Sequence, residues 1–426
     1  MTYVNEIKDD EIKDDKIDNN EFAGNENKLE INKLEMNKFE TIDIEANELK
    51  DGKDLSLYLH IPFCAKKCDY CDFLSSPMDA TTMKQYMEAL IKEIKTYTGY
   101  KDYSIKTIFI GGGTPSLIEG RIMKEVLIAL KETFHIHKDA EISIEINPGT
   151  ISKDKLIAYK EAGINRLSFG LQSVHNRELK LLGRIHSYEQ FKENFLLAKE
   201  LGFTNINVDL MSGLPFQNLN DWIGSLEEVT SLNPSHISAY SLIVEEDTPF
   251  YARYTEEDLD ENLDRDIYDV TKKFLEKCGY HQYEISNYAK EGYECKHNII
   301  YWTRKEYLGI GLGSASFINN VRYSNEKDIK SYIDLINQKK DIKRDVITLT
   351  EKNQMEEFVF LGLRMKQGIR INEFKKIFGL SILDVYDEVI NRTIEEGLLM
   401  MKEDKLCLTD KGIDLSNLVM SRFLID

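Results

Sequence analysis

Six short strand-like runs alternate with helix-like stretches in the middle of the chain, and this alternation limits the folds that are open to it. The runs are LSLYLHI (55–61), KTIFIG (106–111), EISIEIN (141–147), RLSFGLQ (166–172), NINVDLM (205–211) and HISAYSL (236–242). Such alternation favours an α/β fold with a parallel sheet, either a barrel or an open doubly wound sheet. In both architectures ligands bind at the carboxyl ends of the strands, so polar residues there are functional candidates.

The segments on either side of this region have a different character. Residues 1–54 carry 17 acidic and 8 basic residues in loose repeats without helix or strand periodicity, which predicts a disordered acidic tail. Residues 278–344 are predicted to form a β-rich extension that includes the glycine run GIGLGS. Residues 345–426 predict three helices followed by a two-stranded wing, an order typical of a winged-helix module.

The overall composition limits the classes of molecule that the chain is expected to bind. It holds 74 acidic against 55 basic residues, a net charge of −19, which disfavours binding to phosphate backbones. It has neither a run of 18 apolar residues nor the basic and apolar start of a secretory signal. We therefore expect a cytoplasmic protein with no nucleic-acid partner and no membrane span. A peripheral membrane contact and a homodimer stay open.

Three of the six cysteines lie close together directly after the first strand-like run. Cys64, Cys68 and Cys71 form the pattern C-x3-C-x2-C, whereas Phe73 stands where a fourth cysteine would complete a closed cluster. Three thiolates can hold three irons of a [4Fe–4S] cube and leave the fourth iron open to a ligand. The alternative is a zinc site, for which His60 would have to be the fourth ligand.

Polar or glycine residues also end the later strands. The second run ends in GGGTPS (111–116), in which glycines let backbone N–H groups approach a carboxylate or phosphate closely. Glu145, Gln172 and Asp209 end the next three runs, and Arg184 is placed to reach the same edge and pair with a carboxylate. The alternative reading is that each residue caps the helix that follows it.

Together these motifs resemble the radical S-adenosylmethionine superfamily. The segments YLHIPFCAKKCDYCDF, GGGTPS, SIEINP, RLSFGLQS, NVDLMSGLPFQ and YEISNYA…HNIIYW occur in order across roughly residues 55–425 and are similar to its coproporphyrinogen dehydrogenase (HemN) branch. The resemblance implies a partial (β/α)6 TIM-like barrel over 55–277, the β-rich extension, and a C-terminal winged-helix-like domain. It also implies a [4Fe–4S] cluster on the three cysteines and S-adenosylmethionine as cofactors. Contacts with S-adenosylmethionine are implied for Tyr58, Tyr70, Gly112, Gly113, Thr114, Glu145, Gln172, Arg184 and Asp209.

Two departures within the branch separate the possible functions. HemN enzymes carry C-x3-C-x2-C-x-C, but this chain has Phe73 at the last position, and its HNxxYW segment is similar to that of the haem chaperones. The resemblance therefore implies haem as cargo and recipient haemoproteins as partners. The alternative is an oxygen-independent coproporphyrinogen III oxidase that decarboxylates propionates, so enzymatic activity stays open. A third reading, a DNA-binding regulator, is disfavoured by the acidic C-terminal region.

Haem requires an axial ligand and an apolar, aromatic pocket. We expect His297 to be the axial ligand, with Tyr301 and Trp302 along the porphyrin face, and Cys295 is an alternative thiolate ligand. The opposing reading, in which His297 caps or packs and the two aromatics are ordinary core, has equal support in the sequence.

Overall fold

The computed structural model describes residues 53–255 and 258–424. The predicted acidic tail therefore lies outside the described residues, except for Lys53 and Asp54, which begin the first strand.

The six predicted strands are confirmed, and they lie side by side in chain order. Each pairs in parallel with the next, which gives the sheet the polarity that strand–helix alternation predicts. The strands are β1 Lys53–Ile61, β2 Tyr103–Gly112, β3 His135–Ile146, β4 Arg166–Gln172, β5 Asn205–Ser212 and β6 His236–Ser241.

Helices connect these strands and cover the outer face of the sheet. They are α1 Ala80–Ile94, α2 Gly120–Thr133, α3 Lys153–Ala162, α4 Asn176–Leu181, α5 Tyr188–Glu200, α6 Leu219–Ser231 and α7 Glu261–Lys277. Most begin at a side chain that accepts hydrogen bonds from the first free N–H groups, as Asp79 does for α1 and Ser187 does for α5. Short polar residues before each helix therefore fix where the chain leaves the sheet.

The extension adds strands to both edges of the barrel sheet. Its elements are β7 His281–Glu284, β8 Asn287–Ala289, α8 Lys296–Trp302, β9 Tyr307–Ile310, β10 Ala315–Ile318, β11 Val321–Asn325, α9 Ile329–Asn337 and β12 Lys343–Thr348. Strand β9 runs parallel to β1, and β8 runs antiparallel to β6. Within the described chain the sheet order is β12-β11-β10-β9-β1-β2-β3-β4-β5-β6-β8-β7, so the sheet ends at β12 and β7 without closing.

Residues 296–302 form helix α8, although the sequence predicted β structure around them. The side chain of Glu141 on β3 accepts the N–H groups of Lys296 and His297, each at 3.1 Å. A carboxylate at this end satisfies free donors and matches the helix dipole. Because this cap comes from a strand about 155 residues earlier, no local pattern could reveal it.

Glu93 of α1 ties the first helix to the extension. It accepts hydrogen bonds from the Tyr97 hydroxyl (2.9 Å), the Asn325 amide (3.0 Å), the Gly311 N–H (2.9 Å) and the Tyr332 hydroxyl. Four donors on one buried carboxylate compensate for much of its lost hydration. This network holds the β9 edge against the barrel.

The C-terminal part has its own hydrophobic core. It contains α10 Glu351–Gly362, β13 Ile369–Arg370, α11 Ile371–Phe378, α12 Ile382–Glu395, β14 Leu399–Lys402, β15 Lys405–Leu408, α13 Asp410–Asp414 and α14 Ser416–Ser421. The predicted wing is the hairpin β14–β15, to which β13 adds a third strand. Phe358, Phe374, Phe378, Tyr386 and Phe423 pack against one another in the core. None of the helices in the described ranges combines the length and apolar composition that a bilayer span requires.

Candidate functional site

One cavity of about 580 Å³ opens at the carboxyl ends of β1–β6 and reaches down to α8. We call it the barrel cavity. Because side chains from all six strands line it, the sheet curves around it as a partial barrel. Fourteen predicted site residues line this cavity, namely Tyr58, Cys64, Cys68, Tyr70, Cys71, Gly112, Gly113, Thr114, Glu145, Gln172, Arg184, Asp209, His297 and Tyr301. The remaining one, Trp302, is not among its lining residues.

The three clustered cysteines lie on a loop, residues 62–76, that leaves β1 and returns beside it. The N–H of Cys64 donates to the carbonyl of Ser76 (3.2 Å), and the N–H of Ser76 donates to the carbonyl of Pro62 (3.0 Å). Two side chains donate to sulfur: the Thr114 hydroxyl to Cys64 (3.7 Å) and the Arg184 guanidinium to Cys68 (3.4 Å). Such donors stabilise thiolates, which are the form that binds iron.

The three cysteines and His60 do not form a tetrahedral zinc site. Among the described residues no three His, Cys, Asp or Glu side chains converge as one metal ion requires. His60, the only candidate for a fourth zinc ligand, has both ring nitrogens bonded: Nδ1 lies 3.1 Å from the Tyr58 hydroxyl and Nε2 lies 2.9 Å from the Leu74 carbonyl. Its imidazole therefore supports the cysteine loop instead of joining the thiols.

The glycine loop after β2 packs against the cysteine loop. Its N–H groups, expected to face a ligand, are bonded within the protein: Gly112 to Glu145 Oε2 (3.0 Å), Gly113 to the Ile61 carbonyl (2.8 Å) and Thr114 to the Phe63 carbonyl (2.7 Å). A Cβ at Gly112, where φ is +114°, would lie 2.6 Å from the His60 ring, and one at Gly113 would lie 2.6 Å from the Phe63 carbonyl oxygen. The glycines are thus needed for close packing that places the cavity wall.

Two carboxyl groups, Glu145 and Asp209, face each other across the interior of the barrel. Burial, and then the neighbouring charge of Asp209, raise the pKa of Glu145 to about 8, although the Gly112 N–H and the charge of Arg166 act to lower it. Burial also raises the pKa of Asp209, which the Asn207 amide at 2.7 Å partly offsets. Paired acids with raised pKa values in a cavity are typical of a binding site.

Arg184 and Gln172 occupy the upper wall beside the cysteine loop. The Arg184 guanidinium donates to Cys68 Sγ, to Asn147 Oδ1 (2.7 Å) and to the Gly170 carbonyl, so protein acceptors already engage it. Gln172 has a left-handed φ of +75°, and its side-chain oxygen accepts the Tyr240 hydroxyl (2.8 Å). A non-glycine residue in this conformation costs energy and is typical of functional sites.

Four aromatic or imidazole rings form one side of the barrel cavity, which we call the aromatic wall: Tyr58, Phe109, His297 and Tyr301. The Phe109 ring stacks on Tyr58 (centroids 6.4 Å apart) and on His297 (5.2 Å), and Tyr301 meets His297 edge-on at 5.0 Å. Their arrangement provides an extended apolar surface of the kind that binds a planar ligand.

The imidazole of His297 is neutral but hydrogen-bonded at both nitrogens. Burial, and then the charge of Arg166, lower its pKa to about 3. Its Nδ1 lies 2.7 Å from the Thr107 hydroxyl, and its Nε2 lies 2.9 Å from the Tyr301 hydroxyl. A neutral ring can ligate a metal. In this chain one of these two hydrogen bonds must open first.

Cys295 and Trp302 are separated from the barrel cavity. Burial raises the pKa of the Cys295 thiol to about 12, and the thiol donates to Glu141 (3.7 Å), so it is a poor thiolate ligand. Trp302 turns toward the C-terminal part, lining a cavity of about 70 Å³, and its ring stacks under the Arg364 guanidinium at 4.4 Å. Of the two aromatics expected beside the porphyrin face, only Tyr301 lines the barrel cavity.

The sequence reasoning missed several residues that line the interior below the strand ends. The most notable is Arg166 at the start of β4, together with the polar residues Ser168, Asn207, Ser238 and Tyr240. The signal was present in the two-residue period: Arg166, Ser168, Gly170 and Gln172 alternate along one face of β4, with apolar residues on the other face. These positions were not predicted because only the residues at the carboxyl ends of the strands were considered.

Two family models match separate parts of the described chain. Residues 58–229 match the Radical SAM superfamily, and residues 349–415 match the HemN C-terminal domain.

Comparisons with individual proteins give relatives that align with most of this chain. The heme chaperone HemW of Bacillus subtilis (strain 168) is 38% identical over 374 residues, covering 87% of this chain and 99% of that protein. The heme chaperone HemW of Escherichia coli (strain K12) is 43% identical over 262 residues, covering 61% and 69%. Among solved structures, coproporphyrinogen III oxidase (HemN) from Escherichia coli, described as a radical SAM enzyme, has a TM-score of 0.79 at 25% identity, covering 88% of this chain and 91% of that chain.

Proposed function

The chain belongs to the HemW family of the radical SAM superfamily, and from this membership we propose that it binds haem and delivers it to recipient haemoproteins. The family relatives named heme chaperone HemW support this function. The observation that carries it is the aromatic wall, in which a neutral His297 lies between the Phe109 and Tyr301 rings inside the barrel cavity.

We propose that Cys64, Cys68 and Cys71 hold a [4Fe–4S] cluster at the top of this cavity. The cluster would supply an iron with an open position for S-adenosylmethionine. The chain prepares the thiols for this role: Thr114 and Arg184 donate to two sulfurs, while His60 and the glycine loop fix the loop that carries them. Because thiols must stay reduced to bind iron, we further propose a cytoplasmic location.

The haem would bind along the aromatic wall, with His297 as its axial ligand. Ligation requires the imidazole to release either Thr107 or Tyr301, and the Tyr301 hydroxyl is the cavity-facing partner. The remaining bond between Thr107 and Nδ1 would then hold the ring orientation, as outer-shell partners of histidine ligands do. Opening a hydrogen bond makes ligation reversible, which suits a carrier that must release its cargo.

Phe73 favours transport over decarboxylation. This residue replaces the fourth cysteine, lines the barrel cavity and is 66% exposed. A large exposed apolar ring at a cavity mouth is costly in water and is typical of a binding surface. It offers the haem plane an apolar contact that a cysteine could not.

The first experiment is anaerobic and uses the full chain with its cluster reconstituted. Ferric haem is titrated by absorbance, and a parallel sample receives reductant, S-adenosylmethionine and coproporphyrinogen III. We expect stoichiometric haem binding and no protoporphyrinogen. Formation of protoporphyrinogen would establish the decarboxylase instead, and failure to bind haem would refute the carrier.

The axial ligand is tested by His297→Ala beside a control, His137→Ala, in which the histidine lies on β3 away from the cavity. We expect only His297→Ala to shift the haem absorption bands and weaken binding. An unchanged spectrum would exclude His297 as the ligand. Delivery is measured by mixing the haem-loaded protein with apomyoglobin as a model acceptor and following the appearance of the holoprotein spectrum.

A further inference from the structure

Arg166 is a buried cation whose guanidinium makes no hydrogen bond or ion pair in the part of the chain that the structure describes, although Glu141, Glu145 and Asp209 lie near enough for their charges to act on it. It lies at the start of β4, only 2% exposed, and lines the barrel cavity. Its Nε is buried with no hydrogen-bond partner, and the described residues form no ion pair with its guanidinium. A buried charge costs several kcal/mol unless it is paired, so such an arrangement needs a reason.

The acidic groups around Arg166 are committed elsewhere. Glu141, whose charge acts on the guanidinium, makes its hydrogen bonds to the N–H groups of Lys296 and His297 and none to Arg166. Asp209 accepts the Asn207 amide instead. The other cavity arginine, Arg184, is engaged by protein acceptors at the top of the cavity. Arg166 is therefore the guanidinium of this cavity that is free to take an anion.

The depth of Arg166 in the barrel cavity indicates which anion can reach it. Gln172, at the carboxyl end of β4 near the cysteine loop, lies six residues after Arg166, which at ~3.3 Å per residue is roughly 20 Å along the strand. S-Adenosylmethionine that is bound through its amino and carboxylate groups at an open iron keeps its carboxylate at the top of the cavity. A carboxylate that binds Arg166 would then belong to a second molecule.

We propose that Arg166 binds a propionate carboxylate of the porphyrin, so that the macrocycle enters the barrel propionate first along the aromatic wall. This inference rests on the proposed haem-carrier function and deepens it. A guanidinium matches a carboxylate with two parallel N–H donors, and the pairing strengthens where water is excluded. The same contact orients the porphyrin, because only one edge of the ring carries propionates.

The test compares metal-free protoporphyrin IX with its dimethyl ester, because neither probe depends on an axial ligand. Affinities are measured by fluorescence titration for wild type, Arg166→Met, Arg166→Lys and a control, Arg322→Met, whose arginine pairs with Glu357 outside the cavity. Wild type and Arg322→Met should prefer the free acid over the ester by about ten- to hundredfold, as expected for a charged hydrogen bond. Arg166→Met should lose this preference, and Arg166→Lys should retain part of it.

Thermal melting of the ligand-free protein gives a second readout. Because the guanidinium makes no hydrogen bond or ion pair within the described residues and an apolar side chain of similar length replaces it, Arg166→Met should fold and melt close to the wild-type temperature. Failure of both Arg166→Met and Arg166→Lys to fold would overturn the inference, since it would give the guanidinium a structural role.

The remaining outcomes separate this inference from the proposed function. If the wild type binds haem but does not distinguish the acid from the ester, the propionate contact is refuted while the carrier stands. If the wild type binds neither haem nor porphyrin, both fail. Equilibrium dialysis with S-adenosylmethionine on the reconstituted protein should be the same for wild type and Arg166→Met. Loss of that binding in the variant, with the acid preference intact, would assign Arg166 to the cofactor and overturn the proposal.

Discussion

Glu145→Gln should stabilise the ligand-free protein, and by an amount that depends on pH. The folded-state pKa of Glu145, about 8, is above the ordinary value of 4.5 because the carboxyl is buried and faces Asp209. The folded chain therefore keeps a proton that the unfolded chain releases between these two values. The sign follows directly: this group favours folding most below pH 4.5, and its contribution is lost as the pH rises to about 8.

The magnitude follows from the same two values. At about 1.36 kcal/mol per pH unit, the raised pKa of Glu145 costs roughly 3 kcal/mol of stability at pH 7 and roughly 5 kcal/mol well above pH 8, both relative to strong acid. Glutamine removes this titration, yet its oxygen can still accept the Gly112 N–H that now bonds Glu145 at 3.0 Å. The variant should gain less than 1 kcal/mol over wild type at pH 5 and about 3 kcal/mol at pH 7, with a plateau above pH 8.

The assay is urea unfolding of the apoprotein in the presence of a chelator, from pH 5 to pH 9. Glu88→Gln on the exposed face of α1 is the matched control and should leave the pH profile unchanged. A constant difference between wild type and Glu145→Gln at every pH would show that Glu145 is ionised throughout this range. That result would refute the reasoning about the buried acid pair.

Three further substitutions test the fold and the cavity mouth. Gly113→Ala should lower the iron bound per chain, because its Cβ would lie 2.6 Å from the Phe63 carbonyl oxygen and displace the cysteine loop; full iron loading, measured colorimetrically, would contradict this. Glu93→Gln should destabilise by about 2–4 kcal/mol, because its amide would oppose two of the four donors that the carboxylate accepts. Chemical unfolding measures this loss, and an unchanged unfolding midpoint would show that the Glu93 hydrogen bonds do not stabilise the fold. Phe73→Ala should keep the melting temperature within 1–2 °C of the wild-type value, because an exposed substitution changes the stability by about 0.5 kcal/mol. It should weaken haem binding several-fold. Unaltered haem affinity would show that the ring does not contact haem.

The barrel could be predicted from sequence because its information is local. Each of the six runs is strand-like and is followed by a helical stretch, so the order of elements alone specifies the parallel sheet. The polar residues that end the strands were also found, since ends of parallel strands meet at one edge. Glu145, Gln172 and Asp209 accordingly line one cavity.

The features that could not be predicted from the sequence depend on contacts between segments that are distant in the chain. The helix that carries His297 is capped at its N-terminal end by the side chain of Glu141 on β3, and the imidazole is hydrogen-bonded to Thr107 of β2. Neither partner is near in the chain, so neither the helix nor the occupied nitrogens could be anticipated. Trp302 shares a motif with His297, but the helical turn between them directs it to the C-terminal part.

The position of β1 in the sheet has a consequence for how the chain is made. Residues 56–59 of this strand pair on one side with 307–310, roughly 250 residues later, and the cysteine loop follows β1 directly. During synthesis β1 keeps an open hydrogen-bonding edge until β9 has left the ribosome, and exposed edges promote aggregation. A fragment that stops after α7 would expose the corresponding edges of both β1 and β6, to which β9 and β8 are paired in the complete chain. A stalled or truncated chain would therefore carry two exposed sheet edges that the complete chain covers.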